Sequence, residues 1–210
     1  SAPEEYAVAL KNAGFDLFLH ANNHCLDRRD AGLRRTLDQL DMLGVPHIGT
    51  YRNAAERAKN YPFVADVKGM KIAFLNYTYG TNGITVQGDV VVDYIDRAKI
   101  HADVMAARRK GADLVVACMH WGVEYQLVQN KEQELLADWL VDEGVERALP
   151  CTVLAKKASE FGLTGSTFTS VKDAYLAAKS GAAADDMIYV GGSTFIVADL
   201  LAALKEPGKV

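Results

Sequence analysis

Three of the chain's five histidines fall in two short polar turns, each at the end of a hydrophobic run. The first turn, "HANNHCLD", opens after "FDLFL" and holds His20, Asn22, Asn23, His24 and Asp27. A carboxamide oxygen such as that of Asn23 can ligate a hard or borderline cation, and the adjoining His24 can donate a proton to a leaving oxygen. The second turn begins where "DLVVACM" runs into "HWGVEY". There His120 could supply an imidazole ligand, while Trp121 and Glu124 could wall a pocket and position a carboxylate. Taken one by one, these residues also have plainer readings. Asparagine often takes left-handed turn geometry, a strand-end imidazole is easily satisfied by backbone, and aromatic residues after a core strand usually pack. His20 faces the same edge or simply caps the strand; His47 reads as a core residue, and His101 as a solvated residue of a charged helix.

The elements that must position these turns are legible as alternation. Ser1 with Glu4 reads as a capping box opening a first helix that carries Tyr6 and Leu10, and Gly14 stops it. "FDLFL" reads as a short buried strand. Leu33, Leu37, Leu40 and Leu43 recur at helical spacing before Gly44. "VPHIG" reads as a short strand, "NAAERAKN" as a short helix and "MKIAFLNYTY" as a long strand ending in the loop "GTNGITVQGD". A helix follows from about Asp96 to Lys110, then the strand into His120, then a helix over Glu132 to Val141. Strands alternating with helices imply an α/β fold with a mostly parallel sheet, in which ligands gather at the carboxyl ends of strands. Both histidine turns lie at such ends, so they are expected on one edge of one sheet.

Composition narrows the function classes. Of 210 residues half are hydrophobic and 24% are charged, as in ordinary globular chains. The net charge of -4 and the lack of a basic block exclude nucleic-acid binding through a basic face. No apolar stretch approaches the roughly 18–20 residues of a transmembrane helix, and "SAPEEYAVAL" lacks the regions of a signal peptide. Cys25, Cys118 and Cys151 are too widely spaced for a zinc knuckle or a disulfide framework. Cys118 reads as a small buried hydrophobe.

The segments "GFDLFLHANNHCLD", "GLRRTLDQLDMLGVPHIGTY", "KIAFLNYTYGTNGI" and "LVVACMHWGVEY", in that order, resemble the CapA family. These are poly-γ-glutamate capsule biosynthesis proteins of the metallophosphatase (calcineurin-like) superfamily, and the resemblance covers about residues 1–145. It implies a β-sandwich core flanked by helices and a divalent, dinuclear metal site at strand ends. It implies Asn23 and His120 as metal ligands and His24 as the proton-donating histidine. A polyanionic or phosphate-containing substrate follows from the same resemblance, whose members are associated with the cell envelope, while the compartment of this chain stays open. The family's early aspartate "G-D" motif and its later "G-H-x-H" motif are not matched, so the expected fold is an incomplete metallophosphatase-type sheet core. With Asp27 and Glu124 as the remaining carboxylates, the chain alone is expected to bind metal weakly, one ion at a time, and to be nearly inactive as a phosphoesterase.

The character changes after Gly144. The segment from "RALPCTVLAKKASEFGL" to "DDMIYVGGSTFIVADLL" resembles the carboxyl-terminal end of folylpolyglutamate synthase, a cytoplasmic Mur-ligase relative, over about residues 146–210. A small Rossmann-like α/β tail is expected there, with Ser193 or Thr194 capping its last helix. "YVGGST" lacks the full phosphate loop and reads as a cap. The expected organisation is therefore a CapA-like domain over 1–145 joined to a ligase-type fragment over 146–210. A folate γ-glutamyl ligase fragment and a non-catalytic binding domain that associates through open sheet edges are the rival readings.

Overall fold

A computed structural model describes residues 3–126 and 128–145, together with 159–160, 165–168 and 170–183. The chain divides into two compact units, one of residues 1–124 and 130–147 and the other of residues 125–129 and 148–210. The first unit is a mixed α/β structure. Its elements run α1 (Glu4–Asn12), β1 (Phe18–Leu19), α2 (Arg29–Leu43), β2 (His47–Ile48), β3 (Thr50–Tyr51), α3 (Ala54–Asn60) and β4 (Phe63–Val67). They continue with β5 (Met70–Thr78), β6 (Val91–Val92), α4 (Arg97–Arg109), β7 (Leu114–His120) and α5 (Lys131–Asp142). In the second unit α6 spans Val171–Gly181, with the Ser170 hydroxyl accepting from the Asp173 N–H as its cap.

The described strands form three small sheets: β1 with β2, β3 with β6, and β4-β5-β7. β1–β2 and β5–β7 are parallel, whereas β3–β6 and β4–β5 are antiparallel. The arrangement is thus mixed rather than mostly parallel. The departure comes from β4, which folds back on β5 through a two-residue turn at Lys68 and Gly69. Both turn residues have positive φ, 53° and 92°, and the Gly69 N–H donates to Asp66 Oδ1 at 2.7 Å. Two-residue turns of that hand match the twist of paired strands.

Two corrections concern the amino-terminal end. α1 has Pro3 at its N-cap with no side-chain cap bond, so its cap is not the expected Ser1, which itself lies outside the described residues. "FDLFL" forms only the two-residue β1, and Leu19 is exposed, so this is not a buried strand. The other helices start and stop as their residues dictate. Asn53, Asp96 and Asn130 each cap a helix through a side-chain oxygen, and Asn130 with Gln133 completes a capping box. Gly44 ends α2 in the left-handed conformation at φ 64°.

The core has two parts. One gathers Ile48, Tyr51, Tyr61, Leu75, Tyr77, Ile100, Val104, Val115 and Leu140 around β5 and β7. The other packs Leu26, Leu33 and Leu37, from the loop after β1 and from α2, against Val90 and Val92. Together they fix the carboxyl ends of β1, β5 and β7. The expected helix cap at Ser193 or Thr194, the strand "MIYV", Cys151 and most of the expected tail fold lie outside the described residues.

Candidate functional site

The loop after β1 is held at each step by its own chain. The His20 N–H donates to the Ile48 carbonyl at 2.8 Å, and the Ala21 N–H to Asn76 Oδ1 at 2.7 Å. Asn22 closes a local turn: its Nδ2 donates to the His20 carbonyl and its Oδ1 accepts from the His24 N–H. This is the asparagine turn chemistry read from the sequence, and it leaves the next side chain, Asn23, to reach elsewhere.

Asn23 is 5% exposed and fully engaged. Its Oδ1 accepts from His120 Nε2 at 3.0 Å, while its Nδ2 donates to Asn82 Oδ1 at 3.2 Å and to Glu124 Oε1 at 3.3 Å. Two acceptors on the amide nitrogen orient the carboxamide so that its oxygen faces the imidazole. His120 comes from the last position of β7, and the Tyr79 ring stacks on it with centroids 5.9 Å apart and an interplanar angle of 16°. Burial, with His24 adding to it and Glu124 opposing, lowers the His120 pKa below its ordinary value. The ring is therefore held neutral near pH 7, the form that can offer a lone pair to a cation.

His24 is the exposed member of the group. Its Nδ1 lies 2.9 Å from Asp27 Oδ2. An ionised carboxylate only accepts, so Nδ1 carries the proton and Nε2 is the nitrogen left to exchange one. Asp27 thus serves His24 rather than the Asn23–His120 pair.

The structure brings Asn23, His120 and Glu124 into direct contact and sets His24 close enough to influence His120. Their strands do not share a sheet, contrary to the sequence expectation: β1 pairs with β2, and β7 with β5. β1 is two residues long and makes no ladder with β5, so side chains rather than backbone join the two strand ends. Trp121, which follows His120 in the chain, is half-buried. His20 does not join it; its Nδ1 meets Thr50 Oγ1 at 2.6 Å. His47 is nearly buried, with Nε2 3.1 Å from Asp41 Oδ1, as a structural residue should be. His101 pairs with Glu143 and remains largely exposed. Sequence reasoning missed Asn82 and Asn76. The Asn-Gly pair inside "TNG", which the structure places in a turn with a left-handed φ of 52° at Asn82, was the available signal for the first.

Because His120 Nε2–H donates to Asn23 Oδ1, a divalent ion could take both the carboxamide oxygen and Nε2 only after the ring proton moved to Nδ1; Glu124 lies on the nitrogen side of the amide. That set fits a single, weakly held ion. Among the described residues no group of three or more His, Cys, Asp or Glu side chains stands ready for a metal. Two ions held by several ligands each are not accommodated by these donors.

Comparison with known proteins matches residues 1–148 to the family described as "Bacterial capsule synthesis protein PGA_cap". The capsule biosynthesis protein CapA of Bacillus anthracis is 30% identical over 157 residues, covering 70% of this chain and 36% of that protein. The PGA biosynthesis protein CapA of Bacillus subtilis (strain 168) is 26% identical over 144 residues, covering 68% of this chain and 38% of that protein. The chain thus spans a little over a third of the length of these curated relatives. Among solved structures, the NAD nucleotidase NadN of Haemophilus influenzae aligns with a TM-score of 0.43 and 19% identity, over 63% of this chain and 23% of that one. Likeness at that level does not establish a common fold. None of these matches supports the ligase resemblance of residues 146–210 or the join of two families that it implied.

Proposed function

This chain belongs to the PGA_cap family of bacterial capsule synthesis proteins, and from that premise we propose that its first 148 residues contribute a metal-assisted acid–base centre to capsule (poly-γ-glutamate) biosynthesis. The observation that carries the reading is the 3.0 Å approach of Asn23 Oδ1 to His120 Nε2, with the amide nitrogen held away by Asn82 and Glu124. Asn23 and His120 would hold the ion, which when bound supplies Lewis-acid polarisation of a substrate oxygen. His24 exchanges a proton at Nε2 while Asp27 keeps Nδ1 protonated. Trp121 and Glu124 border the substrate, which on this reading is a polyanion or a phosphate-containing precursor. The work is placed at the cell envelope, where capsule is assembled. No helix among the described residues is long and apolar enough to cross a membrane.

The test is titration of the chain with Mn2+, followed by paramagnetic broadening of the His120 and Asn23 side-chain resonances. One site is expected, with broadening centred on those two residues and lost in His120→Ala. Broadening spread over surface carboxylates, or unchanged by His120→Ala, would remove the metal from this centre. His24→Ala should leave ion binding within about twofold while lowering any turnover of an assembled phosphoesterase by roughly 100-fold, the scale of a lost general acid.

A further inference from the structure

The two turns of the candidate centre belong to strands of different sheets, so something other than a shared ladder must set their spacing. Asn76, near the carboxyl end of β5 and 3% exposed, is placed to do so. Its Oδ1 accepts from the Ala21 N–H at 2.7 Å, two residues before Asn23. Its Nδ2 donates to the Cys118 carbonyl at 3.0 Å, two residues before His120. Its own N–H donates to the Tyr61 hydroxyl at 3.1 Å, so β5 is held at this point by a buried tyrosine instead of by β4, whose pairing ends at Phe63 with Phe74. The fit around the amide is close. A Cβ at Gly49 would lie 2.2 Å from Asn76 Oδ1 and 2.6 Å from the Ala21 nitrogen, and Gly49 has a φ of 98°. Only glycine meets both conditions.

We infer that Asn76 is a positioning residue, whose buried amide bridges the loop after β1 to the end of β7 and so sets Asn23 Oδ1 against His120 Nε2. An amide is the side chain that can accept from one strand and donate to another with both bonds satisfied. An aspartate at this position would still accept from the Ala21 N–H but would set an acceptor against the Cys118 carbonyl in place of the Nδ2 donor, and an aliphatic residue would remove both side-chain bonds. The functional consequence rests on the proposed role of Asn23 and His120, but the geometric claim does not.

The experiment uses the isotopically labelled full chain and compares Asn76→Ala with Val104→Ala, a core truncation on α4 outside the site. Expected for Asn76→Ala are faster exchange of the Ala21 amide proton, a weakened nuclear Overhauser contact between the His120 ring and the Asn23 side-chain amide, and mixing of the His120 ring tautomers. Mn2+ affinity should fall roughly 10-fold or more, the usual scale for losing a group that orients a ligand. Val104→Ala should lower thermal stability and change none of these. Asn76→Asp covers the case in which Asn76→Ala fails to fold; it should keep the Ala21 amide protected and still weaken the His120–Asn23 contact. An unchanged contact and unchanged tautomer in a folded Asn76 variant would reduce Asn76 to a stabilising residue and overturn the inference. A wild-type chain that takes up no Mn2+ would defeat the metal reading alone, leaving Asn76 to be judged by the ring contact and tautomer.

Discussion

His20 and His120 leave their strands in similar fashion but end in different surroundings, and their chemistry follows from that. His20 turns back onto Thr50, and burial, reinforced by the neighbouring His47, lowers its pKa to about 4. The unfolded imidazole takes up its proton near pH 6.5, while the folded one stays neutral until about pH 4. Unfolding is then linked to proton uptake between those values, so stability falls as pH drops through the window and is untouched above it. Denaturant midpoints measured from pH 7.5 to 4.5 should show this slope, and His20→Gln should flatten it. An equally steep decline in the variant would assign the effect to other groups. Cys118 shows burial acting in the other direction: with no charged neighbour, its thiol is pushed up to about 11. The thiolate is the reactive form, so Cys118 should resist iodoacetamide at pH 8 in the folded chain and react on unfolding. Cys118 is half-buried, not fully buried as its sequence context suggested, and rapid labelling of native protein at this position, read by peptide mass, would contradict the desolvated thiol.

Helix boundaries were the most legible elements because their signals are local. Asp96 and Lys110, Asn53, and the leucine spacing before Gly44 mark ends that the structure keeps. Apart from β2, read from "VPHIG", the short strands carried no such signal. β3 and β6 are two residues each, below any alternation, and β4 hides behind a Lys-Gly turn instead of the commoner Asn-Gly or Asp-Gly pair. The candidate site was legible as residue types at two strand ends, giving Asn23, His24, His120 and Glu124. Their joining was not, because it runs through Asn76 and Asn82, side chains that reach across 55 and 59 residues of sequence. Periodicity reports which face a residue occupies, not which distant backbone group its amide meets. At this scale the clearest expectation concerns α5, which follows the second turn. Asn130→Ala removes the side-chain acceptor for the Gln133 N–H and leaves only the reciprocal bond from the backbone N–H of residue 130 to Gln133 Oε1. It should cost about 1 kcal/mol of stability by denaturant unfolding, with Asn130→Ser restoring most of the loss. No loss on Asn130→Ala would mean that α5 is held by its packed face alone.

Across the whole first unit, one charged network ties the pieces that the small sheets leave separate. Arg57 on α3 donates through Nε to Asp93 and through Nη2 to Asp103 of α4, both at 2.6 Å, and its guanidinium lies 4.5 Å from the Tyr61 ring centroid. The Tyr77 hydroxyl of β5 donates to the same Asp103 oxygen at 2.8 Å. Asp93 has no exposed side-chain surface, and burial raises its pKa even though Arg57 and Lys99 both oppose the shift. Carboxylates in such a place are tolerated because the guanidinium is there; without it their desolvation is uncompensated. Arg57→Met fills similar volume but removes every donor to both aspartates except Lys99 and Tyr77. The loss expected is about 3–5 kcal/mol, the range for breaking a buried pair from one side. Because the pair is buried, added salt should change that loss little. Neutralising the partners as well, in Arg57→Met with Asp93→Asn and Asp103→Asn, should recover a large part of it, since the penalty lies in the stranded charges and not in the missing attraction. Urea unfolding with an unchanged slope gives the comparison directly. A single Arg57→Met variant that loses less than about 1 kcal/mol, or a triple variant no more stable than the single one, would show that α3, α4 and β5 are held together by their apolar contacts and that the network is incidental to them.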